Sequence, residues 1–133
     1  MRSKFDQQLA ALNQELTEMG ATCAQAIGLA AQALEQQDVA LAAPVGQLEE
    51  QTNEQERTIE ALCLKLLLQQ QPVARDLRQI SAALKMITDM ERIGDQAQDI
   101  AEIVTFLKGR TADRKSTRLN SSHGKLSRMP SSA

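Results

Sequence analysis

Large apolar residues recur at three- and four-residue intervals from Phe5 through Leu9, Leu12, Leu16 and Met19, and on through Cys23, Ile27 and Leu34. That spacing keeps one stripe on one side of a helix and predicts a first helix, ending at the polar break Gln36-Gln37-Asp38. Asp38 is suited to accept the free N–H groups that open a second helix. The stripe Leu41, Val45, Leu48, Thr52, Ile59, Leu62 and Leu66 carries that helix to about Gln69, with Gln55 as a polar interruption. Pro44 and Gly46 mark a kink or fraying point near its entry.

A second break, Gln69-Gln70-Gln71-Pro72, precedes a third helix, because Pro is tolerated where a helix begins and Asp76 in the first turn complements the dipole. Leu77, Ile80, Leu84, Ile87, Met90, Ile93, Ala97, Ile100 and Val104 form its predicted buried face, to about Lys108. Three helices of roughly 30 residues are about 45 Å long each. The expected architecture is all-α, an elongated up-down-up three-helix bundle over residues 1–110.

After Gly109 the periodicity stops. Residues 111–133 are basic, Ser-rich and without an apolar face, so they are expected to lack structure, and Arg114 to Ala133 resembles translated adapter or vector read-through. Charge divides at the same place. Residues 1–110 hold ten Lys or Arg against sixteen Asp or Glu, a net −6, and residues 111–133 hold five against one, a net +4. A nucleic-acid or membrane arm would suit that tail, but it has no aromatic residue on which bases stack.

Composition narrows the chemistry further. With 42% hydrophobic residues, dominated by Leu, Ala, Ile and Met, and only Phe5 and Phe106 aromatic, the chain is an ordinary globular helix former. It has no apolar run approaching the roughly 20 residues that span a bilayer, and its first residues lack a signal-peptide core, so the cytoplasm is the expected location. Cys23 and Cys63 have no CxxC spacing and are expected to be buried thiols. The bundle contains no histidine, which removes Glu-x-x-His di-iron sites and histidine phosphotransfer; His123 lies in the tail. No phosphate-cradling glycine loop or catalytic triad is present, and no enzyme activity is expected.

What remains is an acidic face. At about 100° per residue, Glu91, Asp95, Asp99 and Glu102 fall within an arc of roughly 80° beside the apolar stripe of the third helix. Like charges one turn apart repel, so helix stability alone does not favour that row. A solvated acidic stripe is the ordinary explanation for such spacing; a hard divalent cation held with oxygens from a second helix is the other. Asp89 lies across the stripe, within reach of Arg92. Gly94, inside the helix, suggests close approach of a neighbouring helix. Arg75 and Arg78 oppose the dipole at the helix start, where a partner or anion contact would offset them.

The string Gln70-Gln71-Pro72-Val73-Ala74-Arg75-Asp76-Leu77-Arg78, followed by Met90-Glu91-Arg92-Ile93-Gly94-Asp95, resembles the PhoU family of accessory regulators of bacterial phosphate transport. The resemblance covers residues 1 to about 108, including Met19-Gly20, Ile59-Glu60 and Cys63-Leu64. It implies three-helix units with ExxxD or DxxxD motifs that bind metal ions, two units to the usual chain, of which this sequence holds the first. Glu91 and Asp95 match the motif directly; on the second helix the corresponding pair is Glu49 and Asn53, where the amide keeps an oxygen ligand but removes a charge. Asp99, where the family often has Asn, would partly compensate. The implied ions are Mg, Mn, Fe or Zn.

The resemblance further implies a negative regulator of the phosphate-starvation response, linking a PstB-like transporter ATPase to a PhoR-like sensor kinase without catalysis. A single unit would leave surface uncovered and self-associate, so a homo-oligomer, a homodimer in the simplest case, is expected. The competing reading is a metal-independent helical oligomerisation module whose acids keep an amphipathic bundle soluble.

Overall fold

The computed structural model describes residues 2–69 and 72–112. Gln70 and Gln71 of the second predicted break, and the tail from Asp113 onward, lie outside the described residues. Four helices follow in order: α1 (Arg2–Gln36), α2 (Val39–Ala42), α3 (Val45–Gln69) and α4 (Ala74–Ala112). The three long ones pack against one another in an all-α bundle, and the described residues contain no strand. At 35, 25 and 39 residues, α1, α3 and α4 are about 52, 38 and 58 Å long.

The helix ends follow from local chemistry. Gln37 adopts a positive φ of 51°, and the Asp38 N–H then donates to the Ala33 carbonyl at 3.0 Å, closing α1 with a left-handed cap. Asp38 caps α2 as expected, its Oδ1 accepting the Ala40 N–H at 2.9 Å. The single second helix of the sequence pattern is split, because Pro44 has no N–H to continue α2; its carbonyl instead accepts the Leu48 N–H at 3.2 Å and starts α3. Asp76 does more than face the dipole. It is 1% exposed and accepts the Val73 N–H at 3.1 Å, the reach-back half of a capping box.

Two core clusters run along the bundle. Phe5, Leu12, Met19, Ile59, Leu66, Ile80 and Ile87 fill the half nearest the α3–α4 connection. Ala26, Ala30, Ala33, Val45, Ala97, Ala101 and Val104 fill the other, where small side chains let the helices approach closely. Between them, the Cys23 thiol donates to the Met90 carbonyl at 3.2 Å, and the Thr52 hydroxyl donates to the Leu48 carbonyl at 2.9 Å. Both cysteines are buried and free, and burial pushes both thiols up from their ordinary range.

The topology is up-down-up, so α1 and α4 run parallel. Gly20 sits against Met90 at one level and Leu34 beside Val104 and Leu107 at the next. Three residues of the predicted stripes are not in the core: Leu34, Leu77 and Ile93 are 45%, 44% and 39% exposed. The cause is angular drift. Steps of three or four residues advance by about 300° or 400° rather than a full turn, so Leu77 and Ile93 sit on opposite margins of the α4 stripe. No helix among the described residues is long and apolar enough to cross a membrane.

Candidate functional site

The acidic residues predicted from the sequence converge along the seam where α3 packs antiparallel to α4. Gly94 lies at its centre and is buried. A Cβ there would meet Thr52 Cγ2 at 3.6 Å and Glu49 Cγ at 3.9 Å, so α3 lies directly over the glycine, as its position inside a helix suggests. Thr52 is 0% exposed and, through its hydrogen bond to the Leu48 carbonyl, leaves no polar atom seeking a partner inside the contact. Glu49, one turn before Asn53 on α3, and Glu91 and Asp95, one turn apart on α4, flank this contact half-buried.

Their electrostatics reflect that placement. Burial pushes the Glu49 carboxyl up to about 7, helped by a hydrogen bond that its protonated form makes to Asp95 and by the negative charges of Asp95, Glu91 and Glu102. Glu91 is also raised, by burial first and then by the Asp95 charge, while Arg92 pulls it down. Glu56 is raised by burial and by the charges of Glu60 and Asp95, against the pull of Arg57. The seam therefore concentrates negative charge that Arg57 and Arg92 offset only in part.

The predicted ligands are not equally placed. Glu49, Glu91 and Asp95 are brought together, and Asn53 is half-buried on the same helix as Glu49. Asp99 is exposed, and the charges that raise Glu49 come from Asp95, Glu91 and Glu102. Each i,i+4 step turns the row by about 40°, so Asp99 has rotated outward, whereas Glu102, seven residues beyond Asp95, returns to the seam. Glu56, seven residues beyond Glu49, joins by the same count, and that spacing is the signal by which both were readable. Among the described residues no three His, Cys, Asp or Glu side chains are arranged to hold a metal ion. The donor chemistry, carboxylate and amide oxygens, suits a hard cation, but the side chains as placed form an acidic seam rather than a closed cage.

Beyond the seam, an open groove of about 410 Å³ between α2 and α4 is lined by residues including Gly46, Gln98, Glu102 and Phe106. Gln98 Nε2 donates to Glu102 Oε2 at 3.1 Å, while its Oε1 is buried without a partner. Asp89 is ion-paired with Lys85 at 3.7 Å, one turn before it. Arg75 and Arg78 are exposed at the start of α4, far along the bundle from the acids.

The PhoU domain family matches residues 16–104, which includes the whole seam. Relatives described as phosphate-specific transport system accessory protein PhoU homologs include those of Synechocystis sp., 38% identical over 80% of this chain and 47% of the relative, and Clostridium acetobutylicum, 37% identical over 81% and 50%. The homolog of Deinococcus radiodurans is 34% identical over 97% of this chain and 61% of the relative. The chain thus spans about half the length of the first two. No solved structure matches it. With the family match covering most of the bundle and Glu91, Gly94 and Asp95 inside it, the chain belongs to the PhoU family.

Proposed function

We propose that the chain acts in the control of phosphate transport as a cytoplasmic, cation-binding adaptor without catalysis, restraining the phosphate-starvation response. The observation that carries the cation is the packing of Glu49 against Asp95 across α3 and α4, beside Glu91 and over Gly94. Like charges held together at a half-buried seam favour a hard ion that replaces their mutual repulsion with attraction. Glu49, Glu91 and Asp95 would supply carboxylate oxygens and Asn53 an amide oxygen, with Asp99 joining by rotating inward. Mg, Mn, Fe and Zn are the candidate ions.

The partners in this reading are a PstB-like transporter ATPase and a PhoR-like sensor kinase. Support comes from the relatives, whose names place them as accessory to a phosphate-specific transport system. Exposed Arg75 and Arg78, beside exposed Val73 and Leu77, would form the contact surface. Two measurements test the proposal. Equilibrium dialysis should find bound Mn or Zn in the chain and at least about tenfold weaker binding after Glu91→Gln with Asp95→Asn. Pull-down should capture the ATPase or kinase domain and weaken after Arg75→Ala with Arg78→Ala. Absence of metal binding removes the cation, and failure of a complete two-unit relative to bind either domain removes the adaptor.

A metal-independent oligomerisation module is the second reading, favoured by the absence of a closed three-ligand cluster among the described residues. Melting curves unmoved by added Mg, Mn, Fe or Zn select it.

A further inference from the structure

An up-down-up bundle brings the start of α1, the end of α3 and the start of α4 to one pole, where Phe5, Leu66 and Ile80 share a core cluster. Outside that cluster stand Leu64, Leu68, Val73 and Leu77, 53%, 84%, 52% and 44% exposed. Leu64 and Leu68 lie about 200° to either side of buried Leu66 on the last turns of α3, so they face away from the core. A single bare leucine is ordinary on a surface, but four large apolar side chains gathered at one end mark a contact.

Charge is sorted along the same axis. Lys4, Lys65, Arg75 and Arg78 are exposed at this pole. Its acids are Asp6, exposed on α1, and Asp76, which is buried and accepts the Val73 N–H. From residue 61 through residue 88, Asp76 is the only acid in the sequence. Away from the pole the balance reverses: residues 35–60 hold seven Asp or Glu against Arg57, and residues 89–102 hold five against Arg92. The bundle is a rod with a basic, leucine-tipped end and an acidic body.

We propose that this pole docks on the surface of an anionic lipid membrane. Leu64 and Leu68 enter the boundary between headgroups and acyl chains, and the Lys and Arg side chains around them meet lipid phosphates. Leu68, bare on nearly every side, is suited to a fluid layer rather than to receiving a partner helix. The same anionic surface repels the acidic body, which sets the rod end-on instead of lying along the membrane. The inference stands apart from the adaptor reading. Its test turns on Lys4, Lys65, Leu64 and Leu68, which that reading does not use, and the pull-down of the ATPase or kinase domain contains no lipid.

Co-flotation of the whole chain with lipid vesicles tests it. Phosphatidylcholine vesicles carrying about one-third phosphatidylglycerol should bind the chain, pure phosphatidylcholine should bind it at least about tenfold more weakly, and added salt should loosen the contact. Lys4→Glu with Lys65→Glu, and separately Leu64→Ser with Leu68→Ser, should each weaken binding at least about tenfold while far-ultraviolet circular dichroism stays helical. Lys85→Glu with Lys108→Glu makes the same change in net charge at exposed lysines along the body, and should leave binding within about twofold. All these variants keep the basic residues of 111–133, so a chain held by those residues alone binds unchanged when the pole is altered. That result overturns the proposal, as does binding indifferent to either pole pair, equal binding to both kinds of vesicle, binding to neither, or equal loss in the Lys85 and Lys108 pair. A chain that ignores vesicles and captures an acidic amphipathic peptide through the same residues assigns the pole to a protein, and overturns it equally.

Discussion

Replacing Glu49 by Gln isolates the electrostatic cost of the seam. The folded chain holds the Glu49 proton up to about pH 7, against an ordinary value of 4.5. Stability from that raised value is fully present below about pH 4.5 and is lost as pH rises through about 7. Between pH 5.5 and pH 8 the linkage amounts to about 2 kcal/mol, and partial exposure and salt reduce it to about 1–2 kcal/mol. Gln keeps the shape and never ionises. Glu49→Gln should therefore already lead the parent at pH 5.5 and widen that lead by about 1–2 kcal/mol at pH 8, a further gain of about 4–8 °C in thermal midpoint for a domain of this size. Circular dichroism melts at the two pH values, in low salt and chelator, measure this directly. Adding Mn or Zn at pH 8 should reverse the order, because the parent binds the ion more tightly and gains more from it. A variant equal to or less stable than the parent at pH 8 in chelator would refute the reasoning, since the Glu49 charge would then carry no cost.

Gly94→Ala should be tolerated, within about 1 kcal/mol of the parent, because its Cβ makes ordinary contacts with Thr52 and Glu49. Gly94→Leu should lose about 1–3 kcal/mol by pushing α3 off α4, as read from urea midpoints. Asp76→Ala removes the buried acceptor of the Val73 N–H and should cost about 1–3 kcal/mol, with the start of α4 losing protection in hydrogen exchange. Both cysteines should resist alkylation in the native chain and label on denaturation, because burial excludes reagent and holds each thiol protonated; rapid native labelling at neutral pH would contradict their placement.

Much of the architecture was legible because period and punctuation agreed. The stripes predicted three long helices, Asp38 and the Pro72 break located two entries, and only the Pro44 interruption was stronger in the fold than its reading as a kink. Margins were harder. Leu34, Leu77 and Ile93 are apolar and correctly spaced, but whether a marginal residue is covered depends on which neighbour stands beside it, and spacing within one helix carries no such information. The same limit applies to the acids. Glu91 and Asp95 were found on α4, but their closeness to Glu49 depends on how α3 crosses Gly94, and the substitution of Glu102 for Asp99 at the seam depends on accumulated helical rotation. The family resemblance supplied the α3 partner that periodicity left open.

The parallel pairing of α1 with α4 also constrains the order in which the bundle assembles. Docking α3 on α4 closes a short connection, whereas the Cys23 to Met90 hydrogen bond joins residues 67 apart in sequence. Loop closure therefore favours the antiparallel neighbours, α3 on α4 and α1 on α3, before the parallel α1–α4 contact completes both core clusters. Until then Ile80 and Ile87 have no cover from Leu12 and Met19. On a ribosome, where α1 emerges before α3 and α4, its apolar stripe finds one permanent neighbour in α3 but stays partly bare until α4 is complete.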